Sequence, residues 1–381
     1  MGSILNFIFL SDKLEKNGNH HFIQGPFFNY VTEEGTYSYT LNSEIKEGYK
    51  NVIFLEGNET LKSFYRDIED DILEFVNNND VKLLCVSLAD PTTVTDFEEF
   101  LNRFQSMIDS KKLYVFDSNT DLGTPFAFDY FVEEALHNRK EYFCGGENEL
   151  RYISEEIKES ELDNFRHKKF ISFNRNIGRV HRMRLLHEYL ETDKFKDSYF
   201  SFLRNIDSFP GLENFEFKTP EYYNSFIPIE LDTYDIKNKS SFRTSDTFRK
   251  DLFLDSCINL VTETSFDLNE LFISEKILKP ILNYQPFIVF GPYHYLKQLK
   301  TYGFKTFSDF WDESYDDIKD HEERLEFLMN LVNSLNSMSI EELNKLYKKT
   351  KDICIYNRNL FYGMKPIFSI DKFLNQIENE W

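Results

Sequence analysis

Apolar residues along this chain fall in short runs separated by amphipathic stretches. The runs at 7–10, 52–55, 82–86 and 113–116 have the length of buried strands. Between them, 60–77 and 96–108 carry apolar residues at three- and four-residue spacing, which predicts helices. A second series of strands is predicted at 170–173, 198–203, 258–261 and 286–290. Its helices are predicted at the end of 174–190, where Leu185, Leu186, Tyr189 and Leu190 form a stripe, and at 245–255, 295–299, 322–335, 340–354 and 365–381. A further helix opens at Ser274, while 219–230, with its prolines, and the acidic 303–320 are expected to be loop-like or extended. Strands alternating with helices predict an α/β fold with parallel, doubly wound sheets.

The charge-dense, apolar-poor segment 154–169 divides this pattern in two. It sets an N-terminal domain over 1–160 and a second domain over 161–355, with 356–381 a C-terminal helix packing back on the first. A chain of 381 residues has material for two cores.

Composition narrows the function. No apolar run approaches the ~20 residues a bilayer-crossing helix needs, so no transmembrane segment is expected. The first residues, MGSILNFIFLSD, lack a basic start and a small-residue cleavage site, and predict a buried strand, not a signal peptide. Cys85, Cys144, Cys257 and Cys354 form no CxxC pair, which favours reduced thiols, a cytoplasmic location and no structural zinc. A formal net charge of −21 opposes unaided binding to a phosphate backbone, so DNA is disfavoured as a partner.

Against that acidic background, Arg175, Arg179, Arg182 and Arg184 crowd the loop and helix start after 170–173. Positive charge there opposes the helix dipole, and guanidinium forks match phosphate oxygens. The stretch 258–291 is a strand–helix–strand unit in which Ser274 caps the helix. Free amides at that start, with Lys276, suit a diphosphate, while Glu275 and Glu263 suit sugar hydroxyls. In doubly wound sheets ligands sit beyond the carboxyl ends of strands, which singles out Asp12, Glu56, Asp90 and Asp117 in the first domain. His20 and His21, in the loop NGNHHFIQGPFFN, are acceptor-facing candidates, although a His pair in a polar loop is more often simply solvated. Asp316 and Asp317 lie in a charge run and are expected to form a solvated face, so no DxD-type metal site is predicted.

Three patches in order resemble the bacterial α1,3/α1,4-fucosyltransferases. They are LYVFDSNTDLGTPFAFDYFVEE (113–134), FISFNRNIGRVHR (170–182) and the pair TETSF with FISEKI in 258–291. The resemblance covers roughly 113–320 and implies a GT-B fold, two Rossmann-like domains facing across a cleft. It implies inverting, metal-independent transfer from a nucleotide-sugar donor, GDP-fucose or a similar GDP-sugar, to a hydroxyl of a glycan or other acceptor. Carried over by position, it makes Asp117 the catalytic base and sets Glu263 near the donor sugar. Arg182 becomes the diphosphate arginine, with Arg179 its nearest substitute. Phe272 packs on the base, Glu275 holds the ribose and Lys276 contacts the diphosphate. Two extra residues between Glu263 and Glu275, and Asp in place of Glu at the base position, leave the donor sugar open. Two alternatives stand beside this: a glycosyltransferase acting on a hydroxylated base in DNA, and a GT-B protein that binds a nucleotide without turnover.

Overall fold

Short apolar runs fold here into two parallel sheets, each in its own unit. The computed structural model describes residues 5–8, 31–32, 35–36, 50–57, 70–79, 81–87, 94–117, 157–204, 215–231, 250–267, 271 and 273–363. The chain divides into Met1–Tyr130 with Ile367–Trp381, and Phe131–Pro366.

The first unit holds β1 (Leu5–Ile8), β2 (Val31–Thr32), β3 (Gly35–Thr36), β4 (Lys50–Gly57), α1 (Asp70–Asn78), β5 (Val81–Ser87), α2 (Val94–Asp109) and β6 (Leu113–Asp117). Strands β1, β4, β5 and β6 pair in that order, all parallel, and β2 pairs antiparallel with β3. Helix α2 buries Phe100, Phe104 and Met107 and exposes Glu98, Glu99, Asn102 and Arg103, so its apolar stripe follows the helical repeat. Asp117 is the last residue of β6, opposite Ser87.

The second unit contains β7 (Lys168–Asn176), α3 (Val180–Glu191), β8 (Tyr199–Arg204), α4 (Pro220–Asn224), α5 (Lys250–Asp255), β9 (Ser256–Thr262), α6 (Leu278–Leu282), β10 (Phe287–Phe290), α7 (Tyr295–Thr301), α8 (His321–Ser337) and α9 (Ile340–Gly363). Its sheet runs β10-β9-β7-β8, again all parallel. Every residue of β9 and β10 is buried, the mark of strands covered on both faces. The chain leaves β7 for β8 on one side and later returns to place β9 on the other. The sheet therefore reverses direction between β7 and β9.

Helix α9 is fastened to this sheet by a buried arginine. Arg166 Nη1 donates to the carbonyls of Phe253 and Ser256, and its guanidinium lies 3.6 Å from the Tyr347 ring. Asn344 of α9 accepts from Arg166 N at 2.9 Å and donates to Arg166 O at 2.8 Å. Burial pushes the thiols of Cys257 and Cys354 up to about 12, so both stay protonated. Among the described residues no helix is long and apolar enough to cross a membrane.

Three expectations change. Residues 219–230 are not all loop: Thr219 accepts from Tyr222 N and Pro220 fits the first turn, so α4 forms there. Ile229 then bridges Phe202. Asp316 is not solvated but buried, because its carboxylate accepts from Leu296 N at 2.8 Å and Lys297 N at 2.9 Å at the start of α7. Helix α9 runs on through position 355, where the second domain was expected to end. The predicted helix at 365–381 lies outside the described residues, as does Cys144.

Leu260, central in β9, is 1% exposed. Leu260→Ala should lower the unfolding free energy by about 2–5 kcal/mol in urea titration. A loss under about 1 kcal/mol would show that β9 is not the centre of this core.

Candidate functional site

The reversal between β7 and β9 is where the second unit gathers polar side chains. A doubly wound sheet opens a crevice at such a point, beyond the carboxyl ends of its strands. A ladder of side chains ties the two strands together below it. Thr262 Oγ1 donates to Asn174 Oδ1 at 2.8 Å, Asn174 Nδ2 to Ser172 Oγ at 3.2 Å, and Ser172 Oγ to the Leu260 carbonyl at 2.9 Å. Beyond the ladder, Asn176 Oδ1 accepts from Gly178 N at 3.1 Å, a tight turn that launches α3.

Helix α3 starts without the usual neutralisation. Its N-cap is Arg179, extended in backbone, whose side chain makes no capping bond, and its first turn holds no acid. Arg179 is half-buried, and its side chain has no hydrogen-bond or ion-pair partner among the described residues. The first-turn amides and a guanidinium thus share one end of the helix, an arrangement suited to an anion.

Arg182 has a different task. Its Nη1 donates to Asn176 O at 2.7 Å, and its Nη2 donates to Thr262 O at 2.8 Å and Glu263 O at 2.9 Å. It is 4% exposed and bridges the ends of β7 and β9 through three carbonyls. His181, fully buried beside it, donates from Nε2 to Glu263 O at 3.0 Å and stacks on Phe266 at 4.8 Å. Arg324 of α8 also lies 4.8 Å from that ring, and donates to the carbonyls of Phe266, Ile318 and Lys319. Burial lowers its pKa to about 10, which leaves it charged at neutral pH.

Glu263, just past β9, is the most constrained acid of the site, with 0% exposure. Its Oε1 accepts from Tyr295 OH at 2.6 Å and from Ser274 N at 3.3 Å, and its Oε2 from Ser274 Oγ at 2.5 Å. Lys276 Nζ stands 3.9 Å from Oε2 and donates to Ser274 Oγ at 3.0 Å. Ser274 Oγ also accepts from Lys276 N at 3.3 Å, the capping contact expected of it, although the helix begins as a 3₁₀ turn, Glu275–Ile277, before α6. The Lys276 side chain keeps 26% of its surface exposed, enough to meet a ligand.

Hydrogen bonds therefore tie together Arg182, Glu263, Ser274 and Lys276, and Arg179 stands at the start of the helix that carries Arg182. Asp117 closes β6 in the other unit. Glu275 opens the 3₁₀ turn. Phe272, His20, His21 and Asp90 lie outside the described residues. Sequence patterns passed over His181, Tyr295, Asn174 and Arg324. Of these only Tyr295 carried a signal, as an aromatic three residues beyond the GP that follows β10.

Tyr295→Phe removes one donor from a buried carboxylate and should cost about 1–3 kcal/mol in chemical denaturation. An unchanged midpoint would mean that Glu263 does not depend on it. Burial, and secondarily the Arg182 charge, holds His181 well below its ordinary 6.5, so the imidazole is neutral in the fold. The unfolded chain gains a proton near 6.5 that the folded chain refuses. Stability is thus complete above that value and declines as the pH falls toward the folded value, by up to about 1.4 kcal/mol per pH unit for this group. His181→Gln should flatten that decline while His187, also lowered by burial, keeps its own share. Equal slopes in the two proteins would refute the assignment.

Comparison of the chain with known protein families, with curated proteins and with solved structures finds no match.

Proposed function

We propose that the second unit binds a nucleoside-diphosphate sugar at the β7–β9 crevice, and that the protein is a metal-independent inverting glycosyltransferase of the GT-B, fucosyltransferase-like type with Rossmann-like domains. The observation that carries this is that Glu263, at a sheet reversal, joins an uncapped helix start to the Ser274–Lys276 turn: its carbonyl is held by His181 and Arg182 of α3, whose N-cap is Arg179, and its carboxylate by Ser274. A diphosphate needs positive charge and amide donors from both sides, and these two elements offer them. Arg182 contributes by holding the loops that carry Arg179 and Glu263, since its own donors go to main-chain carbonyls.

In the reaction the acceptor hydroxyl gives its proton to a carboxylate, for which Asp117 at the end of β6 is the proposed base. The acceptor oxygen bonds to the anomeric carbon from the face opposite the nucleotide. The bond from that carbon to the diphosphate oxygen breaks, and its electron pair leaves with the nucleoside diphosphate. Arg179, Lys276 and the α3 amides stabilise that departing charge. A GDP-sugar is the proposed donor and a glycan or other hydroxyl compound the acceptor.

Thermal shift against GDP, UDP and their sugars, without added metal, tests the donor site. A nucleotide at a hundred times its dissociation constant should add about 2.7 kcal/mol of stability. That gain should shrink in Arg179→Ala and in Lys276→Ala. A full gain in both variants would move the phosphate elsewhere, and none in the wild type would sink the donor site. Asp117→Asn should abolish transfer and leave donor binding intact. Retained transfer would remove Asp117 as the base.

A further inference from the structure

Beyond β10 the chain makes a loop that the nucleotide-binding reading leaves unused. It runs Gly291-Pro292-Tyr293-His294 into α7. A Cβ on Gly291 would lie 2.9 Å from Tyr295 Cδ2 and 3.0 Å from Val289 Cγ1, so glycine is what lets the Tyr295 ring close over the strand end. His294 has φ 64 and ψ 20, a left-handed backbone that a side-chain-bearing residue adopts only at a cost. Asp316 holds it there: the Asp316 carbonyl accepts from His294 N at 2.9 Å, and its carboxylate accepts from Leu296 N and Lys297 N in the first turn of α7.

This imposed conformation lays the Tyr293 ring on the His294 imidazole, centroids 3.6 Å apart and planes 25° apart. His294 Nε2 lies 3.3 Å from Asp317 Oδ1, which fixes the ring from its edge. Both rings are half-buried, and each therefore keeps surface to offer. The adjoining Tyr295 hydrogen-bonds Glu263, and Glu263 holds the turn of Lys276, so this ring pair is one residue removed from the candidate diphosphate site. Locally strained backbone maintained by surrounding bonds is a recurrent feature of ligand sites.

We propose that Tyr293 and His294 form the platform for the sugar of the donor, and set which sugar is accepted. The inference rests on the nucleotide-sugar reading above. A pyranose is apolar on its C–H face and polar at its rim. A ring pair supplies the matching flat surface, with the Tyr293 hydroxyl and an imidazole nitrogen at its edge for sugar hydroxyls. We assign the stack to sugar instead of base because it adjoins Tyr295, which holds Glu263, at the end of β10, one strand beyond β9 and the crevice.

Calorimetric titration of the full chain with GDP, GDP-fucose, GDP-mannose, UDP and UDP-glucose decides it. In Tyr293→Ala and His294→Gly, the nucleotide sugar that binds wild type best should bind about tenfold more weakly, a loss of the size expected for one well-packed contact. Free nucleotide should change by less than about twofold. The glycine variant removes the backbone strain and guards against misfolding, and Tyr293→Phe should lose only the hydroxyl's share. Equal weakening of sugar and free nucleotide, or no weakening, would overturn the platform while leaving the nucleotide site in place. If wild type binds none of the five, the donor-site reading falls and takes the platform with it.

Discussion

A carboxylate cut off from water must obtain its hydrogen-bond donors from the protein, and Glu263 draws them from separate places. Tyr295 comes from α7, Ser274 supplies an amide and a hydroxyl from the turn before α6, and Lys276 adds charge from the same turn. Leaving such a group short of partners costs free energy that a marginally stable fold cannot easily absorb. The position of the turn, of Lys276 and of the loop ahead of α7 therefore follows from satisfying one acid. The carbonyl of the same residue is held by Arg182 and His181, which extends the constraint to the start of α3.

Seen this way, charge in the second unit divides by burial. Arg166, Arg182 and Arg324 are enclosed and spend their donors on main-chain oxygens, each joining elements distant in sequence. Arg184 pairs with Glu188 at 3.2 Å and Glu326 at 3.0 Å. Arg179 at the start of α3 and Lys276 beside Glu263 are by contrast only half-buried. A protein with a formal charge of −21 can thus still concentrate positive charge locally, because its buried arginines serve structure while other cations keep surface exposed.

The strands were largely legible in the sequence. Those at 52–55, 82–86, 113–116, 258–261 and 286–290 each fall within or largely within β4, β5, β6, β9 and β10, and for β9 and β10 the reason is that a strand buried on both faces must be apolar throughout. The long helices α8 and α9 showed the same clarity through their stripes. What escaped was mostly decided by contacts far apart along the chain, and in one case by a single local cap. Arg182 looked like a phosphate ligand because its three carbonyls, two of them some 80 residues away, leave no local mark. Asp316 looked solvated because a charge run hides which member turns inward to cap a helix. Likewise α4 depended on one threonine and one proline within a segment otherwise typical of loops.

The order of strands in the second sheet also governs when the crevice can exist. During synthesis, β7, α3 and β8 emerge first, and β9 follows only after the long excursion back across the sheet. The carbonyl of Thr262 that Arg182 holds lies 80 residues downstream. At ~5–20 residues per second the ribosome needs several seconds to deliver it. For that interval one edge of β7 lacks its partner and the guanidinium lacks two of its three carbonyls, so the start of α3 is locked late, after the strand that leads into it has already emerged.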